Sequence, residues 1–228
     1  MQAAFSEIEE KAKLAKAASK KLAFTPTNIK NEALLAIAQA LLDREDQILH
    51  NNDKDYREAE ASGMGAAMLD RLMLNSSRLK GISDDVKTIA KLPDPVGEVI
   101  EERTLPNGLL LSKRRVPLGV IGAIYESRPN VTVDISTLCL KSGNACILRG
   151  GKESGRSNLA LAETVQEAAY KAGIPRGAIQ FIETTDRTLV DQMLKMKDSI
   201  DLVIPRGGAS LIKFIKENAA MAVVAGGI

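Results

Sequence analysis

The stretch Val116-Pro-Leu-Gly-Val-Ile-Gly-Ala-Ile-Tyr-Glu-Ser-Arg-Pro-Asn-Val131, followed by Leu140-Lys-Ser-Gly-Asn-Ala-Cys-Ile-Leu-Arg-Gly-Gly-Lys-Glu-Ser154, decides the fold. Each half is an apolar strand that breaks into a polar loop marked by glycine or proline. An open α/β sheet offers a ligand site in this way, at the carboxyl ends of its strands. Working outward, the apolar period predicts a strand over Val120 to Tyr125, a helix over Val131 to Leu140 and a strand over Ala145 to Leu148. A helix over Ser157 to Ala172 follows, with Gly173 as its C-cap, then a strand over Ala178 to Ile182 and a helix over Leu189 to Met196. A strand over Ile200 to Ile204, a helix over Gly207 to Asn218 and a last strand over Ala222 to Ala225 complete the order. Alternation of this kind implies an α/β fold: a mostly parallel sheet with helices on both faces.

Toward the N-terminus the period is helical throughout. Ile29, Leu34, Ile37, Leu41, Leu42, Ile48 and Leu49 recur near 3.6 after Thr27, taken as an N-cap, and Asn75 opens a second such pattern through Leu79, Ile82, Val86 and Ile89. Residues 1–92 are therefore expected as a helical layer. Leu92-Pro-Asp-Pro-Val-Gly97 ends it, because two prolines within three residues favour extended backbone. From Glu98 to Arg115, Leu105-Pro-Asn-Gly108 signals a hairpin turn, so 93–116 is expected as a hairpin arm and 117–228 as the ligand-binding part. The sequence has no internal repeat and no low-complexity tract.

Composition narrows the function classes. At 228 residues and 45% hydrophobic content the chain is large enough for one large or two small cores. Its formal charge of +2 is too near zero to indicate nucleic acid or a membrane surface. The cluster Lys113-Arg114-Arg115 reads as the polar end of the strand pair. The opening residues lack the pattern of a signal peptide, and no window approaches the ~18 apolar residues of a membrane span, so a cytoplasmic setting is expected. Cys139 and Cys146 lie inside apolar runs without metal-type spacing and read as core thiols, and His50, read at a helix end, gives no basis for a triad or a metal site.

The loops at the strand ends carry the chemistry: Glu126 to Asn130, Arg149 to Ser154, Glu183 to Arg187 and Pro205 to Gly208. Ser127, Arg128 and Asn130 stand at the mouth of the first. The Asn130 amide reads either as a donor to a developing oxyanion or as a cap of the following helix. Arg149-Gly-Gly-Lys-Glu153 joins two cationic side chains to two glycines that let backbone approach a phosphate, and a solvated basic loop is the alternative. Neither the Gly-x-x-x-x-Gly-Lys-Ser/Thr nor the Gly-x-Gly-x-x-Gly spacing is present, which argues against a P-loop and against a standard dinucleotide fingerprint. Ile204-Pro-Arg-Gly-Gly208 opens a helix whose first turn offers N–H groups to an anion, with Arg206 either touching that anion or solvated.

These residues resemble the gamma-glutamyl phosphate reductase (glutamate-5-semialdehyde dehydrogenase) family of the aldehyde dehydrogenase superfamily. The resemblance rests on Val116-Pro-Leu-Gly-Val-Ile-Gly122, Tyr125-Glu-Ser-Arg-Pro-Asn-Val-Thr-Val-Asp134, Leu140-Lys-Ser-Gly-Asn144, Ile147-Leu-Arg-Gly-Gly-Lys-Glu153, Ile204-Pro-Arg-Gly-Gly208 and, upstream, Met68-Leu-Asp-Arg-Leu72. It implies an aldehyde-dehydrogenase-like variant Rossmann domain that binds its cofactor without the glycine fingerprint. It further implies NADPH-dependent reduction of L-glutamate 5-phosphate to L-glutamate 5-semialdehyde and phosphate, a step of proline biosynthesis. In such enzymes a cysteine thiolate attacks the acyl phosphate and hydride then reduces the thioester.

By the same resemblance Asn130 takes the oxyanion position and Arg128 meets the anionic substrate. Tyr125, Glu126, Arg149, Gly150, Gly151, Lys152, Arg206, Gly207 and Gly208 make the cofactor set. Arg149 falls where the superfamily usually has a lysine on the adenosine ribose, and with Lys152 it suits the 2′-phosphate of NADP. One departure is Ile212, which stands where the superfamily commonly has a further glycine. The family is homo-oligomeric, with glutamate 5-kinase as a partner to consider, and no metal, nucleic acid or membrane is implied. The chain stops on the apolar run Ala225-Gly-Gly-Ile228, and neither cysteine matches the family's nucleophile, so the expectation is a sequence cut short of its catalytic domain and oligomerisation strand. A non-catalytic NADP-binding module, an inactive remnant, or a piece that joins a separate catalytic half are the competing expectations.

Overall fold

The structure is a computed structural model that describes residues 2–186 and 188–226. Arg187, read at the end of a ligand loop, and Gly227 and Ile228, read at the chain end, lie outside the described residues. The helices α1 (Gln2–Leu22), α2 (Thr27–Asp43), α3 (Glu45–Ala61), α4 (Ala66–Leu72) and α5 (Ser76–Lys91) come first. The strands β1 (Val99–Thr104) and β2 (Leu110–Arg114) follow. Then β3 (Val120–Tyr125), α6 (Asn130–Lys141), β4 (Ala145–Arg149), a 3-10 turn (Lys152–Ser154) and α7 (Gly155–Lys171) alternate. The order closes with β5 (Ile179–Phe181), α8 (Thr188–Met193), β6 (Leu202–Arg206), α9 (Ala209–Asn218) and β7 (Ala222–Val223).

Strand β3 is buried on both faces, which places it at the centre of a parallel sheet. Its Ile121, Ala123 and Tyr125 join a core with α2, α5, α6 and α7, while Val120 and Ile124 join one with α1, α8 and α9. The sheet runs β5-β4-β3-β6-β7 with every pairing parallel. Successive strands lead outward from β3 to β5, then the chain crosses over to β6. The order reverses between β3 and β6, and a ligand crevice belongs at that reversal. The expected α/β architecture therefore stands, preceded by helices and a β1–β2 hairpin whose strands are exposed along their whole length. Gly108 turns that hairpin at φ +83°.

Asn75 caps α5 as expected, accepting the Arg78 N–H at 2.8 Å. Thr27 does not cap α2: it lies inside the helix after Pro26, and its hydroxyl donates to Asp94 at 2.6 Å. The long apolar period is also broken, because Arg44 separates α2 from α3, leaving Ile48 and Leu49 on the second helix. His50 is correspondingly within α3, exposed, and not at a helix end.

Buried polar side chains fasten the helices to one another, to the segment that follows them and to the sheet domain. The Lys30 ammonium, 1% exposed, pairs with Asp94 at 2.5 Å. The Asp55 carboxylate accepts the Ser157 N–H at 2.8 Å and its hydroxyl at 2.7 Å, at the start of α7. Asn52 donates to Leu72 O at 2.9 Å and accepts from Leu74 N–H at 2.7 Å, which fixes the end of α4. Removing any one partner would strand a buried polar group. Among the described residues no helix is long and apolar enough to cross a membrane.

Candidate functional site

At the reversal point β3 and β6 end side by side, with Tyr125 in register with Arg206. The Glu126 N–H continues the pairing, donating to Arg206 O at 3.0 Å. The Glu126 side chain then turns onto the start of α9, where its carboxylate accepts the Gly208 N–H at 2.8 Å. A carboxylate there is stabilised by the positive end of the helix. A Cβ on Gly207 would fall 2.4 Å from the same carboxylate, so glycine lets Glu126 approach. Glu126 borders two clefts, one on each side of it.

The first cleft, about 450 Å³, brings Arg128, Asn130, Asp134, Arg206, Gly207 and Gly208 together with Met68 and Arg71 of α4. The Asn130 side chain is not a helix cap. It is the first residue of α6, and its amide donates forward to Asp134 Oδ2 at 2.9 Å. Burial pushes the Asp134 carboxyl up to about 6; the Asn130 hydrogen bond and Arg206 oppose that rise, and Asp85 adds to it. Just before α6, Ser127 is buried in the left-handed region at φ +46°. Its N–H and hydroxyl both donate to Glu153 Oε1, each at 2.7 Å.

The second cleft, about 470 Å³, is lined by Tyr125, Arg149, Gly151, Lys152, Glu153, Thr185, Leu211 and Phe214 among others. Arg149 reaches across it, donating to Thr185 O at 3.0 Å, and the Lys152 side chain is exposed. Tyr125 is fully buried. Its hydroxyl shares a 2.6 Å hydrogen bond with Thr132, which donates to Asn158 Oδ1 at 3.1 Å, so Tyr125 supplies the first proton. Asn158 then donates to Ser154 at 2.8 Å, beneath the Arg149 loop. Gly150 belongs to this network: a Cβ there would lie 2.1 Å from the Asn158 amide and 3.2 Å from the Tyr125 ring.

Neither thiol lines either of these two clefts. Cys139 and Cys146 are free and buried, and a hydrogen bond to Cys146, together with burial, pushes the Cys139 thiol well above the ordinary range. A thiolate at Cys139 is thereby disfavoured.

The family model described as "Aldehyde dehydrogenase family" matches residues 1–225. The chain belongs to the aldehyde dehydrogenase family. It is 60% identical over 228 residues to a gamma-glutamyl phosphate reductase of Dehalococcoides mccartyi, covering all of this chain and 54% of that relative. The structure is similar to the crystal structure of the Thermotoga maritima gamma-glutamyl phosphate reductase, with TM-score 0.96 and 42% identity over 97% of this chain and 54% of that one. The Saccharomyces cerevisiae gamma-glutamyl phosphate reductase follows at TM-score 0.88 and 34% identity, covering 94% and 55%. The chain thus spans about half the length of the relatives it matches.

In this aldehyde dehydrogenase family chain the residues expected as one site are sorted into two compartments. Arg149, Gly151 and Lys152 share the second cleft, whereas Arg206, Gly207 and Gly208, read with them, line the first beside Arg128 and Asn130. Glu126 is common to both. Sequence reasoning passed over Asp134, Arg71 and Glu153, although each lies inside a motif it quoted. An Asn and an Asp four apart on a helix face each other, so Asp134 was open to detection. Glu153 was not, because its partner is 26 residues away.

Proposed function

We propose that this chain holds NADPH and the acyl group of L-glutamate 5-phosphate for reduction to L-glutamate 5-semialdehyde and phosphate. The observation that carries the proposal is the pair of clefts at the β3–β6 reversal, with Arg149 and Lys152 on one side of Glu126 and Arg128 and Asn130 on the other. The name shared by the relatives supports the substrate, and their match to about half their length limits the reading to this part of the reaction.

The second cleft fits a phosphorylated dinucleotide. Arg149 and Lys152 offer cationic donors to a phosphate, Leu211 and Phe214 offer apolar surface to a ring, and Gly151 leaves the backbone bare between them. When bound, the nicotinamide supplies hydride. In the first cleft Asn130 keeps one amide N–H on Asp134 and has the other for the acyl oxygen, where negative charge grows. Arg206 sets positive charge beside that point, which favours a phosphate group there, and Arg128, on the cleft's border, is left for another anionic group of the substrate. The reading assigns neither Cys139 nor Cys146 as nucleophile.

That burial also favours a second reading, an NADP-binding module without catalysis of its own. Titrating the 228-residue chain with NADPH, by nucleotide fluorescence and by melting temperature, tests both. Saturable binding of NADPH together with a stable ketophosphonate analogue of the acyl phosphate supports the holding role. Binding of NADPH alone supports the module, and no binding overturns both.

A further inference from the structure

A third cavity, about 370 Å³, opens between α4 and α5 and meets the first cleft along Arg71, Arg128 and Asn130, which border both. Its charges fall into two groups. Asp70 and Arg78 neutralise each other at 2.6 Å, and Arg78 is further held by Met73 O at 2.9 Å, so this pair fastens α4 to α5. Arg71, Arg128 and Asp85 form no ion pair among the described residues, although they come from α4, the β3–α6 loop and α5. A single exposed charge of this kind is ordinary; three from separate elements lining one cavity are a pattern of complementarity.

The signs decide the ligand class. A simple dianion would meet Asp85 in the cavity and Asp134 behind Asn130, while a simple cation would meet two guanidinium groups. A zwitterion satisfies both, with its carboxylate on the arginines and its ammonium on Asp85. Because Asn130 lies on the boundary, a ligand seated by its head in this cavity would pass its far end beside the Asn130 amide into the first cleft.

Resting on the reductase reading above, we infer that the α4–α5 cavity is the α-amino-acid subsite. Arg71 and Arg128 take the α-carboxylate, Asp85 takes the α-ammonium, and the acyl phosphate lies at Asn130. Arg71 and Asp85 thereby select an amino acid over other acyl phosphates. The helical layer then contributes to specificity and does more than cover the sheet.

Calorimetric titration of the 228-residue chain tests this with a stable probe, L-2-amino-5-oxo-6-phosphonohexanoate, in which a methylene replaces the labile bridging oxygen of the acyl phosphate. Its counterpart lacking the amino group, 5-oxo-6-phosphonohexanoate, is the comparison. The amino probe should bind about tenfold tighter, as expected for one charge-assisted contact. Asp85→Asn should bring the two within about threefold of each other, and Arg71→Gln should weaken both by about tenfold. Far-ultraviolet circular dichroism melts establish that each variant is folded, and the comparison on the unaltered chain needs no variant. Equal binding of the two probes, or discrimination that survives Asp85→Asn, overturns the subsite and leaves the reductase reading standing. Failure of both probes to bind overturns the two together.

Discussion

Asn130 donates its side-chain amide to the carboxylate of Asp134, 2.9 Å away and one turn along α6. The carboxylate is half-buried, and burial raises its proton affinity, so the folded chain loses that proton near 6 whereas the ordinary value is 3.8. Between those values the folded state binds the proton more tightly than the unfolded one. Stability therefore falls as pH rises through the window and stays lower above it. Asp134→Asn should raise the melting temperature at pH 7.5, worth about 1 to 2 kcal/mol after allowing for solvent screening. At pH 4 the gain should vanish. A gain that is the same at both pH values would show that ionisation of Asp134 is not its source.

Arg149 carries a prediction about cofactor choice. Its guanidinium donates to Thr185 O at 3.0 Å in the second cleft, the one proposed above for the nucleotide. Arg149→Ala should raise the dissociation constant for NADPH by about tenfold or more and leave that for NADH within about twofold. Parallel titrations of the two nucleotides measure this. Equal weakening of both would remove Arg149 from the 2′-phosphate.

Local signals made the sheet legible. Strand β3 ends at Tyr125 as its apolar run does, and the glycines and prolines after it mark the loops, because these effects act within a few residues. What escaped depends on distance. Thr27 has a capping residue's chemistry, but Asp94 lies within reach of its hydroxyl and Pro26 already holds the cap position. The reading that put Glu126, Gly207 and Gly208 in one set with Arg149 did not foresee that the Glu126 carboxylate takes the α9 N-terminus and stands between the two clefts. No spacing rule reports which way a glutamate will turn.

Glu126 holds a negative charge between two clefts proposed to take anions, and it already uses the Gly208 N–H that an anion would seek. Glu126→Gln keeps an oxygen for that N–H and removes the charge. NADPH should bind about threefold tighter to the variant at low salt, with the difference shrinking at high salt as screening removes the repulsion. Weaker binding at low salt would mean that the carboxylate helps to hold the nucleotide.

Ser127 and Glu153 join the two compartments, because Ser127 borders the first cleft and Glu153 the second. Ser127 holds a left-handed backbone that costs a non-glycine residue about 1 kcal/mol, and it is 3% exposed. Both of its donors end on one Glu153 oxygen. Glu153→Ala strands those buried donors and should cost about 2 to 4 kcal/mol. Ser127→Gly relieves the strain and loses one hydrogen bond of about 1 kcal/mol, so its melting temperature should stay close to that of the unaltered chain. Glu153→Gln retains an acceptor without the charge and should fall between them. Since the loop that Glu153 steadies leads directly into Asn130, Glu153→Ala should also weaken the ketophosphonate probe, although Glu153 does not line its cleft. Thermal melts and the probe titration read the two effects separately. A destabilising Ser127→Gly beside a neutral Glu153→Ala would reverse the order and refute the coupling.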